Sequence, residues 1–243
     1  MANRATPETI ENDWDRFYWD FPDIYDRFAV TSPRAVSAID RMFGLRDKVI
    51  VDVGSGTGRS TFELAKTARL VIGIEPWAPM REFAIEKARA IRAQNVAFLE
   101  GVAQGLPLRD RSVDLAVSIL GVPLDLEDGR KTGRLIGEVY VPEAEQAVRR
   151  GGYIVSVEGA PASSCRSARE GRFSTGTPGR MSRLLSGRFN FQHRDVYVMQ
   201  EYSSLQEAID TYGFIYGKRA IDYLMRHKKK RFRNKFRVHY KQV

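Results

Sequence analysis

Residues 49–58 read Val-Ile-Val-Asp-Val-Gly-Ser-Gly-Thr-Gly, and this stretch decides the fold of the 243-residue chain. The apolar run Val49-Ile50-Val51 predicts a buried β-strand that leads directly into Asp52 and three glycines. Glycines let the backbone turn sharply, and a ligand can approach the main chain because no Cβ is in the way. The segment from Arg59 to Ala68 is helix-like, so the unpaired N–H groups of a helix start face the same loop. The sequence therefore predicts a strand, a ligand-binding loop and a helix.

Further apolar runs follow at intervals that are typical of a parallel sheet with crossover helices. Four such runs lie between residues 70 and 157: Leu70–Ile74, Val96–Leu99, Val113–Ser118 and Tyr153–Val157. Towards the end, Phe191–Met199 predicts a strand, Leu205–Tyr216 a helix, and Arg231–Tyr240 alternates basic with apolar or aromatic residues as an edge strand would. The sequence therefore predicts an α/β core followed by a strand pair at the sheet edge.

The composition indicates one domain, residues 1–243, of which 1–45 form N-terminal lid helices, 46–158 the core and 159–243 a loop, or lid, and the sheet edge. A single cysteine, Cys165, cannot form an internal disulfide. No run of about 20 apolar residues and no signal peptide is visible, so we expect a cytoplasmic protein without membrane contact. The net charge of +9 is concentrated after Lys218, where eleven Lys and Arg accompany one acidic residue.

The spacing of the loop glycines separates two classes of cofactor. Dinucleotide sites use Gly-x-Gly-x-x-Gly, whereas here the spacing is Gly-x-Gly-x-Gly and Arg59 replaces the third glycine of that pattern. A carboxylate at Asp52 would repel phosphates and would suit the cationic amino-acid end of S-adenosylmethionine. Glu75, at the end of the second strand, can accept both hydroxyls of a ribose, a feature that dinucleotide folds share. The charges favour the sulfonium cofactor.

Five motifs resemble, in order, those of the class I S-adenosylmethionine-dependent methyltransferases of the small-molecule, methyltransferase-11-like type. They are Val51–Gly58, Ile74-Glu75-Pro76, the loop Gly101–Leu108, Val113–Ser118 and Val148–Gly152, and the resemblance covers roughly residues 48–157. It implies a Rossmann-like, doubly wound fold: a mostly parallel seven-stranded sheet with helices on both faces, an N-terminal helical lid and a C-terminal antiparallel strand pair. It also implies S-adenosylmethionine as cofactor and S-adenosylhomocysteine as product. His, Cys, Asp and Glu do not cluster at metal-ligand spacing in the core, so we expect no metal.

The resemblance assigns roles to residues of this chain. It implies that Asp52 and the loop hold the methionine part, Glu75 the ribose, Trp77 and Met80 the adenine, and that Ser118 and Ile119 line the floor near the methyl group. Val102 departs from the family pattern, which has Asp there, so adenine recognition would depend on backbone groups of Val102 and Ala103. Ile24–Ala29 resembles a lid helix whose tyrosine reaches the cofactor. The expected cofactor site is thus Tyr25, Asp52, Gly54, Ser55, Gly56, Thr57, Gly58, Glu75, Pro76, Trp77, Met80, Gly101, Val102, Ala103, Ser118 and Ile119.

The methyl acceptor stays open between hypotheses. The first is a small molecule held between the strand ends, the aromatic lid and the loop Gly159–Gly187, with Glu158 as a candidate base. The second is RNA, bound through Lys228, Lys229, Lys230 and Arg231, with Phe232, Phe236 and Tyr240 as stacking surfaces and arginines in the loop. The third is a cofactor-binding scaffold without turnover. We expect the three histidines, His193, His227 and His239, on the surface.

Overall fold

A computed structural model describes residues 13–28, 32–122, 134–160 and 183–243 of the chain. Its strands are β1 (Val49–Val53), β2 (Leu70–Ile74), β3 (Val96–Leu99), β4 (Val113–Ile119), β5 (Val148–Gly159), β6 (Gln192–Glu201) and β7 (Arg231–Gln242). Its helices are α1 (Trp14–Asp20), α2 (Pro22–Phe28), α3 (Ser32–Phe43), α4 (Arg59–Ala65), α5 (Ala78–Ala90), α6 (Ile136–Ala147), α7 (Leu205–Ala208, Ile209–Gly213 as a π-helical turn, and Phe214–Tyr216) and α8 (Lys218–His227). A further π-helical turn, Arg183–Arg188, precedes β6.

The seven strands form one sheet in the order β3-β2-β1-β4-β5-β7-β6. The strands β1 to β5 are parallel, and β7 runs antiparallel to both β5 and β6. The strand order reverses between β1 and its neighbour β4, which is the position where doubly wound sheets open a crevice for ligands. The predicted fold class, including its C-terminal antiparallel pair, is confirmed.

Alternate side chains of the central strands fill two cores. Ile50 and Leu115 belong to the core that also contains Ile39 of α3 and Leu64 of α4. Val51 and Ala116 belong to the opposite core, against α6. Every residue of β1 is buried, as expected of a parallel strand that has helices on both faces. The carboxyl ends of β1 and β4 are thereby held side by side.

The N-terminal lid consists of two short helices. The aromatic spacing predicts one helical face, but α1 ends at Asp20 and α2 begins at Pro22, with Phe21 between them. Proline suits the first position of a new helix because it has no N–H to leave unpaired there. The aromatic side chains pack against α7: the ring centroids of Phe21 and Phe214 lie 5.0 Å apart. The N-terminal lid and α7 therefore support one another by aromatic packing.

The prediction that Arg231–Tyr240 is an edge strand is wrong. β7 is hydrogen-bonded on both sides, to β5 and to β6, and β6 is the edge of the sheet. The alternation that indicated an edge arises because Phe232, Phe236 and Val238 are buried on one face and the basic side chains lie on the other. Long basic side chains can cover a sheet face while their charged ends reach water, so alternation does not distinguish an inner strand from an edge.

Some of the sequence predictions fall outside the described residues. These are Cys165, the arginines 166, 169, 172 and 180, and most of the loop Gly159–Gly187. In the described ranges, no helix is long and apolar enough to cross a bilayer. No group of three or more His, Cys, Asp or Glu that could hold a metal ion is found in those ranges either.

Candidate functional site

The glycine loop after β1 is a backbone structure that other residues would strain. Gly54, Gly56 and Gly58 have φ angles of +73°, +55° and +79°. The N–H groups of Gly54 and Ser55 both donate to the carbonyl of Ile74, at 2.9 and 3.1 Å, which fastens the loop to the end of β2. Residues with a Cβ rarely adopt positive φ, so the three glycines are required by the conformation.

The loop also rests on a glycine that the sequence analysis did not select. A Cβ on Gly54 would lie 2.7 Å from the backbone of Gly121, and a Cβ on Gly121 would lie 2.5 Å from the carbonyl oxygen of Gly54. Gly121 follows the end of β4, where Leu120 has a φ of +57°. Two backbones in direct contact leave no room for any side chain. Gly121 lies two residues beyond β4, the strand that neighbours β1. That position was the available sequence signal, but no spacing rule links Gly121 to the glycine loop.

Asp52 is fully buried behind the loop and is only partly hydrogen-bonded. Its Oδ2 accepts hydrogen bonds from the hydroxyls of Ser60 and Thr61, each at 2.7 Å. Its Oδ1 is buried and has no hydrogen-bond partner within the part of the chain that the structure describes. Burial raises the pKa of the Asp52 carboxyl, and the two hydroxyl donors oppose that effect. A cationic ligand group would satisfy the free oxygen, whereas a phosphate would be repelled.

Glu75 stands at the end of β2 with both oxygens engaged by backbone. Its Oε2 accepts from the N–H of Gly56 at 2.7 Å and its Oε1 from the N–H of Trp77 at 3.0 Å. Burial raises the pKa of this carboxyl and the two backbone donors lower it. Each carboxylate oxygen can accept more than one hydrogen bond, so Glu75 keeps acceptor capacity for hydroxyl groups while it shapes the loop.

The lid helix α2 places Tyr25 over the glycine loop. A Cβ on Gly56 would lie 3.3 Å from Cε1 of Tyr25 and 3.5 Å from Cε of Met80. Burial, followed by the negative charges of Glu75 and Asp52, raises the pKa of the Tyr25 phenol, so its hydroxyl remains a donor. Tyr18 lies between Tyr25 and Trp77, with ring centroids 5.5 and 5.9 Å from theirs. The expected contact residues Tyr25, Trp77 and Met80 therefore surround one space above the loop.

A half-buried ion-pair cluster connects the lid helix to the core. The Nζ of Lys87, on α5, donates to both carboxylate oxygens of Asp26 at 2.9 and 2.8 Å. Arg59, at the start of α4, donates to the backbone carbonyl of Asp26 and lies 3.9 Å from its carboxylate. The Asp26 side chain is only 17% exposed, so these pairs are screened less than surface pairs. The residue that replaces a fingerprint glycine, Arg59, thus holds the lid.

The third loop lies beside β2 and is packed closely at its first residue. A Cβ on Gly101 would lie 2.8 Å from Cγ2 of Ile74. The side chain of Val102 is 47% exposed, and its carbonyl accepts from the N–H of Gly105 at 3.2 Å. The carbonyl of Val102 therefore accepts one hydrogen bond within the loop and keeps a second lone pair for a further donor. Ala103 and Pro76 are at the same edge, at the ends of β3 and β2.

The carboxyl ends of β4 and β5 carry the residues expected on the acceptor side. Ser118 is fully buried and its Oγ accepts from the N–H of Val122 at 3.1 Å, which leaves the hydroxyl hydrogen available. Ile119 and Glu158 are half-buried, and Ser156 donates to Oε1 of Glu158 at 3.3 Å.

Tyr140 of α6 and His239 of β7 were not selected from the sequence. The Tyr140 hydroxyl is buried and unpaired with respect to the described residues, and burial followed by the charges of Asp52 and Glu158 raises its pKa. His239, expected on the surface, is 1% exposed, and burial lowers its pKa to about 4. It is buried because β7 is an inner strand, where it pairs with Ser156 and His193.

The basic run at the start of β7 is engaged with its own chain. Lys229 lies over the rings of Tyr223 and Phe232, Lys230 donates to the carbonyl of Ser203 at 2.9 Å, and Arg231 pairs with Glu201. Phe232 and Phe236 are buried, which contradicts their predicted use as stacking surfaces. The structure brings together the glycine loop, Glu75 and the lid, whereas of the three rings predicted beside the basic run two are buried and Tyr240 is half-buried.

Comparison with known proteins agrees with this geometry. A family model described as a methyltransferase domain matches residues 50–142. An O-methyltransferase, rstn1, from Aspergillus nomiae is 31% identical over 134 residues, which are 54% of this chain and 59% of that protein. The chain thus spans less than two thirds of the length of this relative.

Solved structures show the same fold. The YcgJ protein from Bacillus subtilis superposes with a TM-score of 0.60 at 15% identity. The match covers 86% of this chain and 99% of the YcgJ chain. A SAM-dependent methyltransferase from Aquifex aeolicus has a TM-score of 0.56 at 16% identity, with coverage of 91% and 99%. Residues 50–142 thus match a methyltransferase domain, and the chain shares its fold with the SAM-dependent methyltransferase from Aquifex aeolicus.

Proposed function

We propose that this protein transfers the methyl group of S-adenosylmethionine to a nucleophilic atom of a small molecule. The observation that carries the proposal is the free Oδ1 of Asp52, a buried carboxylate oxygen next to a glycine loop that Tyr25 covers. An unsatisfied buried carboxylate oxygen is costly, and the ammonium group of a methionine moiety would offset that cost. A phosphate-bearing dinucleotide would increase it.

The residues of the loop fit this cofactor in chemical type. The hydroxyls of Ser55 and Thr57 are buried and without hydrogen-bond partners in the described ranges, so they can bind polar ligand atoms. Glu75 offers acceptor capacity to the ribose hydroxyls, and Pro76, Trp77, Met80, Gly101, Val102 and Ala103 would enclose the adenine. Gly54, Gly56 and Gly58 leave the space that a Cβ would fill.

When bound, the sulfonium would supply an electrophilic methyl carbon, and a lone pair of the acceptor forms the new bond as the carbon–sulfur bond breaks. The protein's contribution is to align the acceptor, exclude water and accept a proton. Tyr25 and Tyr18 close the site above the loop, while Ser118, Ile119 and Tyr140 would bound the acceptor side. Alignment alone can contribute ~7 kcal/mol or more to lowering the barrier. Glu158 is the candidate group to receive the acceptor's proton.

The alternatives have less support. The RNA hypothesis required exposed aromatic rings beside the basic run, and Phe232 and Phe236 are buried. The scaffold hypothesis rests on Val102 alone, and the other loop features fit the cofactor. A small-molecule acceptor is therefore the function that the site supports best.

Calorimetry tests the proposal. S-adenosylmethionine and S-adenosylhomocysteine should bind the wild-type protein, and Glu75→Ala should weaken both by at least about tenfold, because the ribose acceptor and the hydrogen bond to Gly56 are lost. Glu63→Ala is a control, since Glu63 pairs on the surface with Lys66. If neither compound binds the wild type, the proposal is wrong.

A further inference from the structure

A cleft with a volume of about 530 Å³ lies between α3 and β6. None of its lining residues belongs to the glycine loop, to the lid helices α1 and α2 or to the ends of β4 and β5. It lies on the flank of the sheet that β6 closes as the edge strand. The cleft is thus separate from the cofactor site.

Three arginines line this cleft, and none of them has an anionic partner among the residues that the structure describes. Arg34 and Arg41 of α3 and Arg194 of β6 line it, and all three are exposed. Their side chains form no ion pair or hydrogen bond with any residue in the described ranges. Three like charges that share one concave surface repel each other, and the low-dielectric walls strengthen their combined potential.

Asp195 also lines the cleft, but its carboxylate is neutralised by Lys235 and Arg237 of β7, which share its face of the sheet, opposite the face that packs against α3. Its Oδ1 lies 2.7 Å from Nε of Arg237 and its Oδ2 lies 2.7 Å from Nζ of Lys235. These partners, Arg237 first, hold the pKa of Asp195 well below its usual range, so the carboxylate stays charged and shared between two cations. Its negative charge therefore does not balance the positive charges of Arg34, Arg41 and Arg194.

Arg34 and Arg41 lie on one face of α3. They are seven residues apart, which is two helical turns, or roughly 10 Å between their Cα atoms along the axis. Arginine side chains are long enough to cover this distance, so both guanidinium groups can reach one anion in the cleft. Ala38 and Met42 of α3 with Val196 of β6 provide an apolar floor.

We propose that the cleft between α3 and β6 is a binding site for a small ligand that carries a diphosphate-type group. Arg34 and Arg41 bind its phosphate oxygens from α3, Arg194 does so from β6, and the apolar floor takes the organic part of the ligand. Guanidinium groups suit this chemistry because their planar fork binds phosphate oxygens in pairs. S-adenosylmethionine carries no phosphate, so this ligand is a different molecule.

The cleft favours a small ligand over RNA. Single-stranded RNA is held by aromatic rings on which bases stack. Tyr197 is the aromatic residue among those that line the cleft, and its exposed ring is covered by the guanidinium of Arg233 at 4.2 Å from the centroid. A concave site lined by three guanidinium groups favours a compact anion, whereas RNA binding would follow total charge.

Titration calorimetry with inorganic pyrophosphate, inorganic phosphate and a short single-stranded RNA tests this site. Pyrophosphate should bind the wild-type protein more tightly than phosphate does, and its affinity should fall with added salt. Arg34→Gln, Arg41→Gln and Arg194→Gln should each weaken pyrophosphate binding by about tenfold, since each removes a charge-assisted contact. The affinity for S-adenosylmethionine should stay unchanged, which separates this site from the proposed function.

Arg226→Gln is the matched control, because Arg226 is an exposed arginine of α8 and its replacement changes the net charge equally. Circular dichroism checks the fold of each variant. The proposal is overturned if pyrophosphate does not bind, or if Arg226→Gln weakens binding as much as the cleft variants do. It is also overturned if RNA binds, the cleft variants weaken that binding and pyrophosphate does not displace the RNA.

Discussion

Charged residues of opposite sign dominate two regions of the sheet: the carboxyl ends of β1 and β2, here called the edge, and the flank formed by β6 and β7. At the edge, Asp52 and Glu75 are 0% and 5% exposed, and they are held mainly by hydroxyl and backbone donors. On the flank, basic side chains outnumber acidic ones, and one carboxylate, that of Asp195, pairs with both Lys235 and Arg237. The edge suits a cationic, hydroxyl-rich ligand and the flank an anionic one. Four substitutions test this contrast and the supports on which each region depends.

Gly121→Ala tests the backbone contact beneath the edge and should have the largest effect. The new Cβ would lie 2.5 Å from the carbonyl oxygen of Gly54 and 2.7 Å from that of Val53. Backbone cannot move aside as a flexible side chain can, so we expect a loss of about 3 kcal/mol in the free energy of unfolding. Urea denaturation measures it. Gly105→Ala, where a Cβ meets nothing within 4 Å, should change stability little.

Gly56→Val tests the space above the loop. A branched side chain at φ +55° would collide with Tyr25 and occupy the space that the ligand needs. Calorimetry should show that the affinity for S-adenosylmethionine falls at least about a hundredfold, together with a loss of stability from the positive φ. Gly44→Val separates the two causes, because Gly44 has φ +60° but nothing within 4 Å of a Cβ. Equal loss of binding in both variants would contradict the steric explanation.

His239 tests the buried part of the flank through pH. Its folded pKa, about 4, lies below the unfolded value of about 6.5, so its contribution to stability is present above pH 6.5 and is lost as pH falls towards 4. Between pH 8 and pH 5 the loss should be about 2 kcal/mol. Urea denaturation at several pH values should show a shallower fall for His239→Gln than for wild type. His227→Gln, at an exposed position, should follow the wild type.

Asp26→Asn tests how firmly the lid is held over the edge and should have the smallest effect. The variant keeps the backbone contact to Arg59 but loses the charge pairing with Lys87. If the lid then closes less often, the apparent affinity for S-adenosylmethionine falls, and we expect about a tenfold loss. Asp23→Asn, on the same helix, breaks only an exposed pair with Arg27 and should leave the affinity unchanged. Equal effects would mean that the cluster does not hold the lid.

The sequence predicted the first half of the molecule better than the second. β1, the glycine loop and Glu75 follow from short-range patterns, because a parallel strand must be apolar and a turn at positive φ requires glycine. The order of β7 and β6 did not follow, since alternating basic and apolar residues are compatible with both an inner and an edge position. That ambiguity misplaced His239, Phe232 and Phe236 as surface residues.

By itself, the sequence determined the α/β fold, the loop and the charge that selects its ligand, because these depend on residues adjacent in the chain. Only the tertiary structure decided which distant groups complete the site. Gly121 contacts Gly54, Lys87 and Arg59 hold Asp26, and α7 supports the aromatic lid. The convergence of Arg34, Arg41 and Arg194 was equally invisible in the chain. Contacts of this kind join elements far apart in sequence, and packing, not local pattern, sets their distances.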